Sequence, residues 1–282
     1  NILNGYSADS NAVKQLYENA EQERLSSSLN IFTNKTDLVN AVNLWIDDNQ
    51  SALEYYGPIN EWDVSAITDM SQLFKDKITF NDNISSWDVS NVTNMQQMFS
   101  CWPQIGIFNQ DIGGWNVSKV TRMDEMLTDQ QNFNQNLNNW DVSKVTTMYG
   151  IFIRCLPFNH PLDNWDVSNV TDMKHMFHTC QVFNQDISGW NVSNVTNIEA
   201  MFFSTLQFDQ DISNWNLPTT NVNYEDYGLS SGHPDVEFFA NSSVYYFKVN
   251  HYQFGQNLVT NGTFSQHKTI TGTEVSLSLI HI

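Results

Sequence analysis

Polar residues at fixed distances from a series of tryptophans are the side chains of this sequence best suited to binding a ligand. Each tryptophan of the series is followed by Asp or Asn, whose carboxylate or amide oxygens accept hydrogen bonds. This series of Asp and Asn residues predicts a shallow acidic and amide-rich face that docks a sugar, a cation or a protein. The face consists of Asp88, Asn116, Asp141, Asp166, Asn191 and Asn216. The alternative is a solvated face on which these oxygens bond backbone groups of turns.

A second polar series follows the phenylalanines that precede the tryptophans. It consists of Asn81, Asn109, Asn134, Asn159 and Asn184, with Asp209 last. Stacked amides can pair with backbone groups of the next repeat, so we expect a structural role. Two residues further along, carboxylates occur only at Asp111, Asp186 and Asp211, and no calcium-loop spacing is present. We therefore predict no metal site in this series.

The three cysteines offer one pair for redox chemistry. Cys155 and Cys180 lie 25 residues apart, which is one repeat, so they are expected to stack on adjacent repeats. A Cα separation near ~5 Å would fall within disulfide range. The pair is therefore either a disulfide or two reduced packing thiols. Cys101 is out of register and is expected to be unpaired.

Catalytic signatures are missing from the sequence. It contains no zinc-protease, nucleophile-elbow, phosphate-loop or dinucleotide motif. His175 and His178 are three residues apart, and His160 is the only other histidine of the repeats, which is too few for a metal site. Acidic residues fall mostly in repeat columns rather than in an asymmetric pair suited to glycoside hydrolysis. We predict a protein that is not an enzyme, with no cofactor and no metal.

Composition excludes two classes of partner. The chain has 282 residues, 31 Asp plus Glu and 12 Lys plus Arg, for a net charge of −19. It therefore lacks the basic surface that nucleic acids and anionic membranes require. No run of 18 apolar residues is present, so no membrane insertion is expected. The chain begins at Asn1 without a signal-peptide pattern, which predicts a processed product or a fragment.

The tryptophan spacing defines an internal repeat of 25 residues, with one interval of 28. The series consists of Trp62, Trp87, Trp115, Trp140, Trp165, Trp190 and Trp215, and we expect it to form the structural core. The three extra residues fall within 101–107, where we expect a bulged loop. A 25-residue unit is too small to hold a core alone, so the units must stack.

Two periodicities within each unit predict the elements that position the polar face. Ile84, Trp87 and Val89 have the spacing of the strand core of a leucine-rich repeat. The eight residues from Val92 place apolar side chains at i, i+3, i+6 and i+7, as on a short helix. The sequence therefore predicts an α/β repeat solenoid over 60–217. Its seven or so leucine-rich-repeat-like coils would each contain one short strand and one short helix.

The flanks differ from the repeats. Residues 30–59 are predicted to form an N-terminal helical cap, with a helix from Thr36 to about Tyr56. The apolar face of this helix consists of Leu38, Val42, Trp45 and Ile46. Residues 1–29 are expected to be a linker or the tail of a preceding domain. Residues 218–282 are expected to be a loop and a β-rich segment that is truncated.

The repeat pattern W-D-V-S-x-V-T-x-M-x-x-M-F resembles that of the BspA-like leucine-rich-repeat surface proteins, specifically the Mycoplasma-type lipoprotein repeat of about 25 residues. The W-D-V-S part occurs at residues 62–65, 87–90, 140–143 and 165–168, and the last unit departs from it at 217–218. The resemblance covers about 60–216. It implies a secreted or surface-displayed adhesion or interaction protein, and it carries no catalytic residues.

Three functions follow from these observations. The favoured one is a non-catalytic adhesion or ligand-binding module at the cell surface or outside the cell, whose partner is an extracellular protein or glycan. The second is a rigid spacer for other extracellular domains, such as a carbohydrate-binding module, because residues 257–264 look like the first strand of such modules. The third is an accessory region of an extracellular hydrolase.

Overall fold

The structure, a computed structural model, describes residues 30–212 and 214–217 of the chain. The helical cap and the repeats predicted from the sequence fall within this part. The predicted N-terminal linker, 1–29, and the predicted β-rich segment, 218–282, lie outside the described residues.

Two short α-helices begin the described chain. Helix α1 spans Lys35–Asp47 and helix α2 spans Asn49–Tyr56, with a 3-10 helix at Ile59–Glu61 after them. Asn34 caps α1, because its Oδ1 accepts the backbone N–H of the third helical residue at 3.0 Å. No helix among the described residues has the length and apolar character needed to cross a membrane.

Asp48 divides in two the helix that the sequence predicts from Thr36 to about Tyr56. Its φ of −148° and ψ of 80° are outside the helical region, and its carboxylate accepts the backbone N–H of Ser51 at 3.1 Å to start α2. The buried residues of α1 are Leu38, Ala41, Val42 and Trp45. The Trp45 ring lies 5.8 Å from that of Trp62, so α1 packs against the first repeat.

The repeats stack in parallel register, but their described residues contain neither strands nor α-helices. Equivalent residues of neighbouring repeats pair through isolated parallel bridges at Asp69, Asn94, Arg122, Thr147, Asp172 and Asn197. Within 30–212 and 214–217, α1 and α2 are the only α-helices, and the bridges are single pairs that do not extend into strands. The predicted α/β repeat solenoid, with one short strand and one short helix per coil, is therefore wrong.

Left-handed residues explain why the methionine-rich segment is not the predicted helix. His175 and Thr179 have φ of 58° and 61°, which interrupts any run of helical dihedrals. The backbone N–H groups of this segment instead cross to the next repeat: His175 donates to Glu199 O and Phe177 to Met201 O, both at 2.9 Å. Positive φ recurs at the positions equivalent to His175, which are Gln72, Gln97, Glu125, Gly150 and Ala200.

Side chains link the repeats where the sequence predicts a strand. The Trp165 indole Nε1 donates to Leu137 O of the preceding repeat at 2.9 Å, while the Trp165 backbone N–H closes a tight turn on Leu162 O. Asn169 Nδ2 donates to Ser143 O at 2.7 Å. These donors satisfy carbonyls that a strand would offer to backbone N–H groups. Indole bonds of 2.8–3.2 Å are repeated at Trp87, Trp115, Trp140, Trp190 and Trp215.

Columns of aromatic rings form the core. The seven tryptophans of the series are at most 5% exposed. Ring centroids of neighbouring repeats lie 5.8–6.2 Å apart along Phe80, Phe108, Phe133, Phe158, Phe183 and Phe208. A second set of rings lies 4.0–4.3 Å from this column and consists of Phe74, Phe99, Phe152, Phe177 and Phe202. Each aromatic side chain buries roughly 150–250 Å², so apolar burial holds the stack together.

The extra residues at 101–107 leave these columns intact. Phe99 and Phe108, which flank the insertion, stack at 4.1 Å like the matching pairs of other repeats. Gly106 forms a parallel bridge with Gln130 of the next repeat. The insertion therefore widens the outside of one repeat without changing its core.

Candidate functional site

The predicted polar face is exposed in the structure and lies in register along the stack. Each of its residues follows a buried tryptophan, and the parallel pairing of repeats places equivalent positions next to each other. The exposed members are Asp88, Asn116, Asp141, Asp166, Asn191 and Asn216. We call these six residues the acidic column. A partner approaching it would meet a row of carboxylate and amide groups rather than a pocket.

Most members of the acidic column also bond the turn that follows them. Oδ1 of Asp88 accepts the backbone N–H of Ser90 at 2.9 Å. Oδ1 of Asp141 accepts both the backbone N–H (3.1 Å) and the hydroxyl (2.6 Å) of Ser143. The same bond from the residue two positions later is made at Asn116, Asp166 and Asn191. The column thus holds turns in place while its side chains remain exposed.

These bonds keep part of the column negatively charged. The hydroxyl and backbone N–H of Ser90 lower the pKa of Asp88, and those of Ser143 lower the pKa of Asp141. A hydrogen bond donated to a carboxylate favours its ionised form. Both side chains therefore carry a full negative charge at neutral pH.

Turn bonding alone does not distinguish the acidic column, because a second column has the same geometry. Asp111 Oδ1 accepts the backbone N–H of Gly113, and Asp186 Oδ1 accepts that of Ser188, both at 2.9 Å. Asn83 and Asn136 make the equivalent bond. This second column provides a matched control for any test of the first.

The asparagines that follow the phenylalanines connect the repeats. Oδ1 of each accepts the backbone N–H of its counterpart in the next repeat, at 2.8–3.3 Å. The acceptors are Asn81, Asn109, Asn134, Asn159 and Asn184, and the last donor is Asp209. Their oxygens are therefore engaged in backbone bonds rather than directed at a ligand.

Cys155 and Cys180 are both free and buried, so the structure has the reduced thiols and not the disulfide. Each thiol donates to a carbonyl of the preceding repeat: Cys155 to Leu127 O at 3.3 Å and Cys180 to Phe152 O at 2.9 Å. Thr205 takes the same position one repeat later and makes the same bond through its hydroxyl. Burial raises the pKa of both thiols, which keeps them protonated.

The histidines predicted to be too few for a metal site form part of a row of rings. His175 stacks edge-on to Tyr149 and to His178, and His178 stacks on Phe203 with 4.8 Å between centroids. Burial lowers the pKa of His178 to about 4, so its ring is neutral at pH 7. In the part of the chain that the structure describes, no three His, Cys, Asp or Glu side chains converge as a metal site would require.

A cluster of polar side chains beneath the insertion is not predictable from the sequence. Asp129 is 0% exposed, and its Oδ1 lies 2.9 Å from Arg154 Nη1 as an ion pair, although neither carboxylate oxygen has a hydrogen bond. Burial raises the pKa of Asp129, and Arg154 opposes the shift. Gln130 reaches from the next repeat, accepting from Phe108 N at 2.8 Å and donating to Phe99 O. Only the three-dimensional pairing of two repeats brings these residues together.

Comparison with known proteins identifies the family of the repeats. Residues 36–156 and 130–227 match the family described as "Mycoplasma protein of unknown function, DUF285". These overlapping matches together cover more than half of the chain. No curated protein and no solved structure matches it. The chain therefore belongs to the DUF285 family of Mycoplasma proteins of unknown function.

Proposed function

We propose that the stacked repeats are a non-catalytic binding module, displayed at the cell surface or secreted, that adheres to a partner through the acidic column. The observation that carries the proposal is the exposed, in-register row of carboxylates and amides. We also propose that the chain is related to the BspA-like surface proteins, and its 25-residue repeat supports this relationship.

The charge of the column favours a basic protein partner. Asp88 and Asp141 are held ionised, and the whole chain has a net charge of −19. Complementary charge speeds encounter and selects among partners more than it adds affinity. Stacking repeats the same group at regular intervals, so many weak contacts form together along an extended face.

The second candidate is a rigid spacer that holds other extracellular domains. The observation in its favour is that the oxygens of the acidic column already bond turns, as they do in the control column of Asp111 and Asp186. Bonds between repeats through Trp and Asn side chains would make such a spacer stiff.

Replacement of Asp by Asn separates the two candidates. The variant Asp88→Asn/Asp141→Asn/Asp166→Asn removes three charges but keeps the acceptor oxygen, as Asn116 and Asn191 do naturally. It should therefore fold with an unchanged thermal midpoint. The matched control, Asp47→Asn/Asp111→Asn/Asp186→Asn, removes three charges elsewhere.

Both variants and the native chain would be applied to an array of extracellular proteins and glycans, with and without calcium. The binding module requires saturable binding to a basic protein that is lost only in the first variant. Binding to a glycan that is lost in the first variant would still assign binding to the acidic column, but the partner would be a glycan and not a basic protein. Binding that is absent, or equal in all three folded proteins, would favour the spacer.

A further inference from the structure

The insertion carries an apolar patch that differs from the rest of the surface. Eight large apolar side chains of the described residues are exposed, and four of them lie here: Ile78, Trp102, Ile105 and Ile107. We call these four residues the insertion patch. Trp102 is 59% exposed and Ile105 is 51% exposed. The Ile107 backbone N–H donates to Ile78 O at 3.2 Å, which joins the insertion to the preceding repeat.

Buried bonds hold the insertion in one conformation. The Cys101 N–H donates to Thr128 O at 3.0 Å, and the Gly106 N–H donates to Asp129 O at 2.9 Å. Gln130 Nε2 bonds the Cys101 thiol at 3.2 Å. A Cβ at Gly106 would collide with the Gln130 side-chain amide and displace it from its bonds to the insertion. An apolar surface that is ordered before binding loses less conformational entropy when a partner docks.

Three basic side chains lie next to or near residues of the insertion patch. The Arg154 guanidinium lies 5.7 Å from the centre of the Trp102 ring while it also pairs with Asp129. Lys77 directly precedes Ile78, and Lys75 lies two residues earlier. Asp76 lies between the two lysines and Asp129 pairs with Arg154, so the patch has a small excess of positive charge on a chain with a net charge of −19. The exposed combination of Trp and Arg is the composition in which binding energy concentrates at protein interfaces.

The size of the patch and the charge of the chain argue against a second copy as the occupant. Four partly exposed side chains amount to on the order of 300 Å², the scale of a functional surface patch. A stable dimer buries roughly 800 Å² per partner. Two copies would also each have a net charge of −19, so repulsion between the chains opposes their association. A short partner segment avoids both difficulties.

We propose that the insertion patch docks a short segment of another protein that combines apolar and acidic side chains. The apolar side chains would cover Trp102 and Ile105, and the carboxylates would meet Lys75 and Lys77. This surface is separate in composition from the acidic column, so the two proposals stand or fall independently.

A displayed library of random peptides, selected on the native chain, provides the test. Trp102→Ser/Ile105→Ser removes the centre of the patch, and Lys77→Glu reverses one of its charges. Leu206→Ser and Lys144→Glu are matched controls at exposed positions outside the patch. All four should keep the native thermal midpoint, because the replaced side chains are exposed or half-exposed.

The proposal expects selected peptides rich in aromatic or aliphatic residues together with Asp and Glu. Synthetic copies should bind about 30-fold or more weakly to Trp102→Ser/Ile105→Ser, more weakly to Lys77→Glu, and normally to both controls. Patch-dependent peptides rich in Lys and Arg, or no patch-dependent peptide, would overturn it. Sedimentation that shows self-association lost in Trp102→Ser/Ile105→Ser would assign the patch to a second copy instead.

Discussion

Replacement of Arg154 by Gln tests whether the buried carboxylate beneath the insertion depends on its ion pair. Asp129 is 0% exposed, whereas the Arg154 side chain is 30% exposed. Without the guanidinium, Asp129 must either remain charged and unpaired or take up a proton. Breaking a buried pair in this way costs about 3–5 kcal/mol when the charge remains.

Protonation sets an upper limit on that loss. Each pH unit above the unfolded-state pKa of about 3.9 adds about 1.36 kcal/mol to the cost of a neutral Asp, which gives about 4 kcal/mol at pH 7. At pH 5 the same route costs about 1.5 kcal/mol. Because the folded-state pKa lies above the unfolded one, the folded variant binds more protons, and its stability rises as the pH falls from 7 to 5.

Urea unfolding followed by circular dichroism at pH 5 and 7 measures this effect. Each variant is compared with the native chain at the same pH. We expect the free energy of unfolding of Arg154→Gln to be lower than that of the native chain by about 3–4 kcal/mol at pH 7 and by about 1.5 kcal/mol at pH 5. Adding Asp129→Asn should remove the pH dependence. Lys35→Gln, which breaks the more exposed pair with Asp69, should cost less than about 1 kcal/mol. An Arg154→Gln loss that is small, or equal at both pH values, would refute the reasoning.

Three further predictions concern the indole bonds between repeats, the ring row of His175 and His178, and the buried Cys180 thiol. Trp140→Ala should lower the free energy of unfolding by about 3–5 kcal/mol. Trp140→Phe keeps most of the buried ring and removes only the indole donor to Ile112 O, which still accepts the Trp115 backbone N–H, so this variant should lose only about 1 kcal/mol. Equal losses of the two variants in urea unfolding would contradict this prediction. Between pH 6.5 and about 4 the native chain should lose up to about 3 kcal/mol through His178, because the unfolded state binds the proton more readily, and His178→Phe should flatten this part of the stability profile. Cys180→Thr should keep the bond to Phe152 O and Cys180→Val should lose it, so their melting curves should differ by about 1 kcal/mol; identical curves would count against the bond.

The repeat could be recognised from the sequence, but its secondary structure could not. The period is visible because burial requires the same side-chain types at equivalent positions of every repeat. The apolar spacing that suggested a helix also fits a chain of turns with one side directed at the core. The residues that decide between them include Gln97, Glu125 and Arg154, which have positive φ. Such residues are ordinary helix formers, so the sequence gives no sign of a left-handed conformation.

The hydrogen bonds made by side chains at the candidate site could not be predicted from the sequence either. The acidic column is exposed, but its bonds to the turns depend on local dihedrals that composition does not reveal. Cys155 and Cys180 have disulfide spacing, yet the carbonyls of the preceding repeat accept their thiols. The partnership of Gln130 with the insertion depends on contacts between two different repeats. Patterns within one repeat could not predict it.

The bonds between equivalent positions make the length of this protein adjustable only in whole units. Removal of residues 134–158 would join Phe133 to Asn159, whose backbone N–H would meet the Asn109 amide oxygen that Asn134 meets now. Removal of a single residue would instead shift every later indole away from its carbonyl. The insertion at 101–107 lies in a loop of the repeat where added residues leave the bonds between equivalent positions unchanged. Duplication of one repeat, with variation in that loop, would give proteins of different length in which neighbouring repeats pair in the same way.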